Sequence, residues 1–485
     1  MKYCLALMAI AVMYHTTAEA QNEIDALRYS QTTFGGSGRV LGMGGAFGAL
    51  GGDVSSMQIN PAGIGIFRKS EVSLTPAFHQ FNATSVYEGY TKATDKSNLN
   101  FSSAGAVFTN IDKSKEFGWI ATNFGFAYNR IDNYHVELEA EGPNAYSSLL
   151  DTYLNKVNDG AGITPELMAD EYPLTAYMAF YTYLLDTIPG DPTHYFSQIP
   201  YAGILQNRKL TSNGSHSETQ LSFGANHSNK FYIGATIGFP RFRYTEMLDY
   251  SEKDHKDTIP AFTSFNIGQE LYSTGQGMNG KFGIIYRPHD MVRLGLAYQT
   301  PTLYTINEEF YYTVEALYDN GFNPDSTVAG LFKYSIRTPS RTTASVGLVV
   351  YKAGLINVDV EQVNYGGAKL SSSVYGFDSE NKNVKDKYQS ATNIRVGTEW
   401  RINPFRLRAG YAYYGNPFKP DVANNGSHES ISLGGGIRGN GYYLDLAYVF
   451  TQSQSNTYFY KLDGLSPVEQ HMRSHIFAVT VGFRY

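Results

Sequence analysis

Cysteine is almost missing from this 485-residue chain: the single one, Cys4, falls in the first twenty residues. Disulfides and thiol catalysis are therefore excluded beyond that segment. Charge is also sparse, with 17% charged residues and a formal net charge of −6. Without a basic excess the chain has no footprint for nucleic acid. Past the first twenty residues there is no apolar run of about 18, which removes helical membrane spans.

The opening MKYCLALMAIAVMYHTTAEA places Lys2 before an apolar stretch and ends in Ala18-Glu19-Ala20. That pattern predicts a secretory signal over 1–20, cut before Gln21. The apolar stretch is too short for a membrane anchor.

What is abundant is tyrosine (39), phenylalanine (29) and glycine (48). Aromatic residues in such numbers suit strands and the interface girdles of membrane barrels. The C-terminal HIFAVTVGFRY sets Phe477, Val479, Val481, Phe483 and Tyr485 on one parity, against Ala478, Thr480, Gly482 and Arg484 on the other. NIRVGTEWR and FRLRAGYAY repeat the pattern, with a greasy face opposed by a small or charged one. Many segments run to ten residues or more. At about 3.3 Å per residue and a tilt near 40° they reach roughly 25 Å, the height of the apolar band on an outer-membrane barrel. Sliding NIRVGTEWR by one residue would push Arg395, Glu399 and Arg401 into lipid at about 2–4 kcal/mol each at mid-depth, so charge sets the register as much as grease does.

This template predicts fourteen strands near 70–82, 99–110, 117–138, 216–228, 230–248, 276–287, 290–309, 337–351, 354–366, 387–402, 404–415, 428–438, 441–456 and 471–485. Short connections (IDKSKE, NHSNK, RPHD, KAG, INP, RGNG) alternate with long ones, the asymmetry of periplasmic turns and outward loops. The longest loop, 139–215, contains ITPELMADEYPLTAYMAFYTYLL, whose spacing suggests one or two short helices, serving as a cap on the barrel mouth or as part of a ligand entrance. The fold class is thus all-β: a fourteen-stranded antiparallel transmembrane barrel over 70–485. The preceding residues, 21–69, do not alternate and are too short and glycine-rich for a separate domain, which leaves the barrel lumen as their place.

Within that segment the run GGAFGALGGDVSSMQINPAGIGIF ends just before the first strand. Together with a secreted fourteen-stranded barrel, it resembles the FadL/TodX outer-membrane transporters of hydrophobic compounds, with Asn60, Pro61 and Ala62 matching the Asn-Pro-Ala motif of that family. The resemblance implies an N-terminal hatch that plugs the barrel and passive entry of long-chain fatty acids or aromatic hydrocarbons across a Gram-negative outer membrane. It also implies a kink in the third strand, WIATNFGFAYNRIDNY, opening a side exit. Alternation there fails at Arg130, so Gly125 or the Asn129-Arg130 pair is the place for a bend; the other reading is that Arg130 reaches the aqueous end of a long strand. No motif aligns the family's ligand-contacting residues with this chain.

Other chemistry is weaker. Neither Gly36-Ser37-Gly38 nor Gly42-Met43-Gly44 has the third glycine or the preceding strand of a dinucleotide fingerprint. His471 and His475, four apart on one strand, are roughly 13 Å from each other, too far to share a metal. Serines and histidines are scattered without a hydrolase motif, so no enzyme, metal or cofactor is expected. Inward-facing charges collect in the inner half of the strands: Arg287, Arg293, Asp359, Glu361, Arg395, Glu399, Arg401, Arg406, Arg408, Asp445 and Arg484. They either pair with one another or, with Asp53, hold the hatch. The expected partners are membrane lipid and a hydrophobic ligand (fatty acid, aromatic hydrocarbon or haem), with the chain a monomer. A general porin and a PorV-like barrel serving protein secretion or surface attachment are the alternatives.

Overall fold

The computed structural model describes residues 23–485 apart from 145, 198, 200–202, 352 and 423. The expected signal segment, 1–20, lies outside the described residues. Among the described residues fourteen antiparallel strands close into a barrel, the last pairing with the first over Glu71–Val86 and Glu469–Arg484. They are β1 Glu71–Tyr87, β2 Tyr90–Ile111, β3 Trp119–Asn133 continued by Val136–Asn144, β4 Ile204–His227 and β5 Phe231–Asp254. Then come β6 Phe262–His289, β7 Val292–Gln299 continued by Leu303–Tyr318, β8 Asp325–Arg337 continued by Arg341–Val350, and β9 Gly354–Asn364. The wall is completed by β10 Ser390–Ile402, β11 Phe405–Tyr414, β12 His428–Arg438, β13 Tyr442–Thr457 and β14 Val468–Arg484.

Alternation along these strands builds a membrane-spanning wall. On β9, Ile356, Val358 and Val360 are exposed while Asn357 and Asp359 between them are buried. The same outward parity exposes Val72, Leu74, Phe124, Phe126, Leu294, Leu296, Ile431, Leu433 and Val479 around the circumference, an apolar belt that suits lipid. Both tryptophans, Trp119 and Trp400, are exposed at the end of the belt nearest the short turns, where amphipathic rings favour the interface. The interruptions in β7 and β8 lie side by side at Pro301 and Pro339, which have no N–H for the ladder. Thr302 N donates to Thr338 Oγ1 at 3.0 Å and Thr338 N to Thr302 O at 3.0 Å, so the break leaves these amides satisfied.

Four outward connections are markedly shorter than the sequence expectation, because strands need no apolar face above the membrane: 249–275 shrinks to 255–261 and 310–336 to 319–324. Residues 83–98 are not an outward loop: β1 and β2 run on through them and close in a two-residue turn at Glu88 (φ 47°) and Gly89 (φ 82°), the left-handed pair that hairpins favour. Strand structure also invades both ends of 139–215, leaving the connection from 145 to 203. It carries the helices Leu149–Val157, Pro165–Glu171 and Ala176–Tyr181. Their apolar faces (Leu150, Tyr153, Met168, Met178) pack with Tyr250, Phe262, Phe265 and Val314 of the rising strands, roofing the barrel.

Candidate functional site

The N-terminal residues occupy the space inside the wall. At the outer end α1 (Glu23–Arg28) is tied to the outer loop by the Lys387–Glu23 ion pair and by Tyr388, whose hydroxyl donates to Glu23 O at 3.1 Å. At the inner end the 3₁₀ turn Pro61–Ile66 meets β3 to β6. Between them the backbone seats on lumen-facing glycines. A Cβ on Gly397 would stand 2.3 Å from Met43 O, one on Gly295 2.4 Å from Gly48 O, and one on Gly234 2.3 Å from the Pro61 carbonyl. Gly283 faces the Asn60 side chain and Gly410 the Met43–Gly44 peptide as closely. The glycines that make one face of the strands so small are therefore where the enclosed segment touches the wall, since any side chain there would collide with backbone.

Asn60 is a three-way clamp. Its Oδ1 accepts from Ala62 N at 3.1 Å, capping the turn, while its Nδ2 donates to Gly48 O at 2.6 Å and to Ile284 O of β6 at 3.2 Å. Pro61 occupies the first turn of the 3₁₀ segment, where its missing N–H costs nothing, and Ala62 is fully enclosed.

The expected lumenal charges divide into those that touch this segment and those that do not. Glu399 receives Arg39 of the segment through two nitrogens (2.9 and 3.3 Å) and Arg408 of the wall at 2.8 Å. Arg408 continues to Asp445 at 2.8 Å, giving a buried chain of alternating sign from the enclosed segment to the wall. Asp53 stays within the segment, accepting from Ser37 Oγ (2.8 Å) and Ser55 N (3.0 Å). Arg395 pairs with Glu361 at 3.4 Å. Arg406 lies at the inner rim, on Asn403 and the Phe405 carbonyl, away from the segment. Two more of the expected lumenal charges, Asp359 and Arg293, hold the segment, and Arg341, which sequence reasoning did not single out, joins them. Asp359 accepts the backbone N–H groups of Phe47 (2.8 Å) and Gly48 (3.0 Å), Arg293 donates to Leu50 O at 3.0 Å, and Arg341 bonds the Ser30 carbonyl.

The wall itself is incomplete. β2 and β3 share a regular ladder from Ile111↔Ala121 to Ser103↔Asn129, and among the described residues the ladder ends there. Gly125 sits inside the regular part, against Met57 of the enclosed segment, and bends nothing. The irregularity comes at Arg130/Asp132, where β3 shifts register against β4. Arg130 stands at this break, its Nε 3.5 Å from the Phe101 carbonyl on the opposite lip, rather than at the aqueous end of its strand. Further out the seam is bridged by side chains: Lys92–Glu141 at 3.0 Å, and Thr94 Oγ1 donating to Glu137 O at 2.5 Å. Behind the break, residues 33–36 substitute for the missing ladder. Thr33 N donates to Ile131 O at 3.0 Å on one lip, and Ser102 Oγ donates to Gly36 O at 2.9 Å on the other.

One cavity borders this seam, and a second lies further out. The inner one, about 540 Å³, is lined by Thr33, Phe34, Ser102 and Arg130 together with Phe81 and Ile476. The outer one, about 260 Å³, lies between α1 and the cap, against Ile24, Tyr172, Leu174 and Phe310. Arg28 and Glu246 line both, and their ion pair at 3.3 Å forms the partition. Asp25 beside it also contacts Arg28 at 2.6 Å. Burial, reinforced by the Glu308 carboxylate, nonetheless outweighs Arg28 and pushes the Asp25 carboxyl up to about 8.

No protein-family model matches the chain, and no curated protein sequence does either. Solved structures match in fold. The P. putida toluene transporter TodX aligns with 93% of this chain and 99% of its own, at a TM-score of 0.56 and 13% identity. A Pseudomonas aeruginosa FadL homologue covers 93% and 98% at 0.54 and 12%, and the Ralstonia pickettii toluene transporter TbuX 93% and 98% at 0.50 and 13%. The chain has the fourteen-stranded barrel fold of these channels.

Proposed function

We propose that this protein is an outer-membrane channel for passive entry of hydrophobic small molecules, gated by its N-terminal hatch. The observation that carries the reading is the seam: the β2–β3 ladder stops at Ser103 and Asn129, and hatch residues 33–36 bond to both lips. A ligand collected under the cap passes the Arg28–Glu246 partition into the inner cavity. It leaves sideways between Phe101 and Arg130 when the hatch lets go. An apolar cargo gains by the last step of that route, because leaving sideways takes it into lipid without crossing the polar, glycine-lined inner mouth. The fold shared with a toluene transporter and a FadL homologue supports a hydrophobic cargo, for which long-chain fatty acids and aromatic hydrocarbons are the candidates.

The test is entry of labelled oleate and toluene into proteoliposomes, with the native chain and with one lacking residues 42–59. The deletion is expected to change the entry rate of at least one probe severalfold while the barrel keeps its heat-modifiable gel mobility. Equal rates in a correctly folded deletion would overturn hatch gating.

A further inference from the structure

On the outer face of the wall, the residues just beyond the apolar belt form two rows that carry cations and hydrogen-bond donors. Along β5 the outward column reads Ile237, Phe239, Arg241, Arg243, all four exposed. Arg241 is the eleventh residue from the start of its strand at Phe231. At about 3.3 Å per residue and a tilt near 40°, the column turns from apolar to cationic roughly 25 Å above the short turn, the height of a lipid belt.

The register extends both rows sideways. Arg241 lies opposite Ser217 of β4 and Gln276 of β6, and Ser217 lies opposite Arg130 of β3. One step further out, Arg243 lies opposite Ser215 and Thr274. Strands are about 4.8 Å apart and alternate residues on one strand about 6.7 Å, so Arg243 stands about 6.7 Å and Arg130 about 9.6 Å from Arg241, with Arg130 and Arg243 about 12 Å apart. No carboxylate stands on the outward positions of these two rows. The nearest acidic groups are Asp132, behind Arg130 at the seam, and Glu270 and Glu309 further out, each engaged by a tyrosine hydroxyl.

We infer that this shelf holds the phosphate of a membrane lipid in the outer leaflet. Guanidinium forks match phosphate oxygens, and the serine, threonine and glutamine side chains between them supply further donors. Lipid is favoured over free phosphate because the exposed Leu221, Ile237 and Phe239 lie directly beneath the cations, where acyl chains attached to the phosphate would run.

The experiment compares two probes with identical acyl chains. Detergent-solubilised native protein is offered phosphatidic acid or diacylglycerol, and retained lipid is counted by native mass spectrometry; inorganic phosphate at the same concentration is a third arm. Phosphatidic acid is expected to be retained at least tenfold over diacylglycerol. R241E/R243E should abolish that preference and K253E, further out on the same strand, should leave it intact. Equal retention of the two lipids by native protein overturns the proposal whatever the variants do. So does a preference that survives R241E/R243E, or inorganic phosphate displacing phosphatidic acid at equal concentration.

Discussion

At the scale of single residues, the enclosed N-terminal segment, the proposed hatch, is held by groups whose roles differ sharply despite similar sequence contexts. Arg406 and Arg408 share a parity, yet one lies at the rim and the other is fully enclosed between Glu399 and Asp445. Arg408→Glu should therefore release the hatch and raise single-channel conductance, while Arg406→Glu leaves it near the native value. Equal effects would contradict the assignment. Asp359 gives a second case: Asp359→Ala strands the Phe47 and Gly48 amides, and bonds to a charged acceptor contribute about 1.5–3 kcal/mol each. Amide exchange at those two positions is expected to accelerate at least tenfold. Asp25 adds a pH dependence. Its carboxyl is raised to about 8 in the folded chain, so the native state binds more protons than the unfolded one between the ordinary aspartate value and that point. The contribution of this group to the docking of α1 is then fully present below the ordinary aspartate value, falls as pH rises, and is lost by about 8. Protection of residues 23–31 against hydrogen exchange should fall from about pH 4 to about pH 8 and level off above, after correction for the intrinsic rate, and Asp25→Asn should remove that fall.

At the scale of elements, what was legible in the sequence is what periodicity encodes. Strand number, the six short turns and the place of the non-alternating N-terminal segment follow from period-two patterning, because each error of register would bury charge in lipid. The seam was only half legible. Failure of alternation at Arg130 marks it, but a ladder ends through the relation of two strands, and nothing in β2 alone says that Ser103 is its last paired residue there. The outward extension of β1 and β2 through 83–98 was hidden for a similar reason, since above the membrane a strand needs no apolar face. Partners within the lumen were least legible. Glycines such as Gly397 stand out in the strands, yet only the fold shows that Met43 lies against one of them. Gly397→Leu should accordingly expel the middle of the hatch, seen as protease cleavage within 36–52 in a barrel that still migrates as folded. A protected hatch in that variant would mean the close approach is not needed.

At the scale of the whole molecule, the proposed route joins cap, N-terminal segment and seam. The roof packs over the mouth, and two cavities meet at the Arg28–Glu246 partition. At the β2–β3 break the ladder stops, and the N-terminal segment is bonded behind it to both lips. In the proposed route, movement of residues 33–36 away from the lips is the step that permits exit. The chain offers a clean test because its single cysteine falls in the expected signal segment. With Thr33→Cys and Ile131→Cys, whose backbones are hydrogen-bonded at 3.0 Å, a disulfide ties the hatch to one lip of the seam. Entry of labelled oleate and toluene into proteoliposomes should stop on oxidation and return on reduction. Entry that continues unchanged with the disulfide formed would contradict a hatch-gated lateral exit.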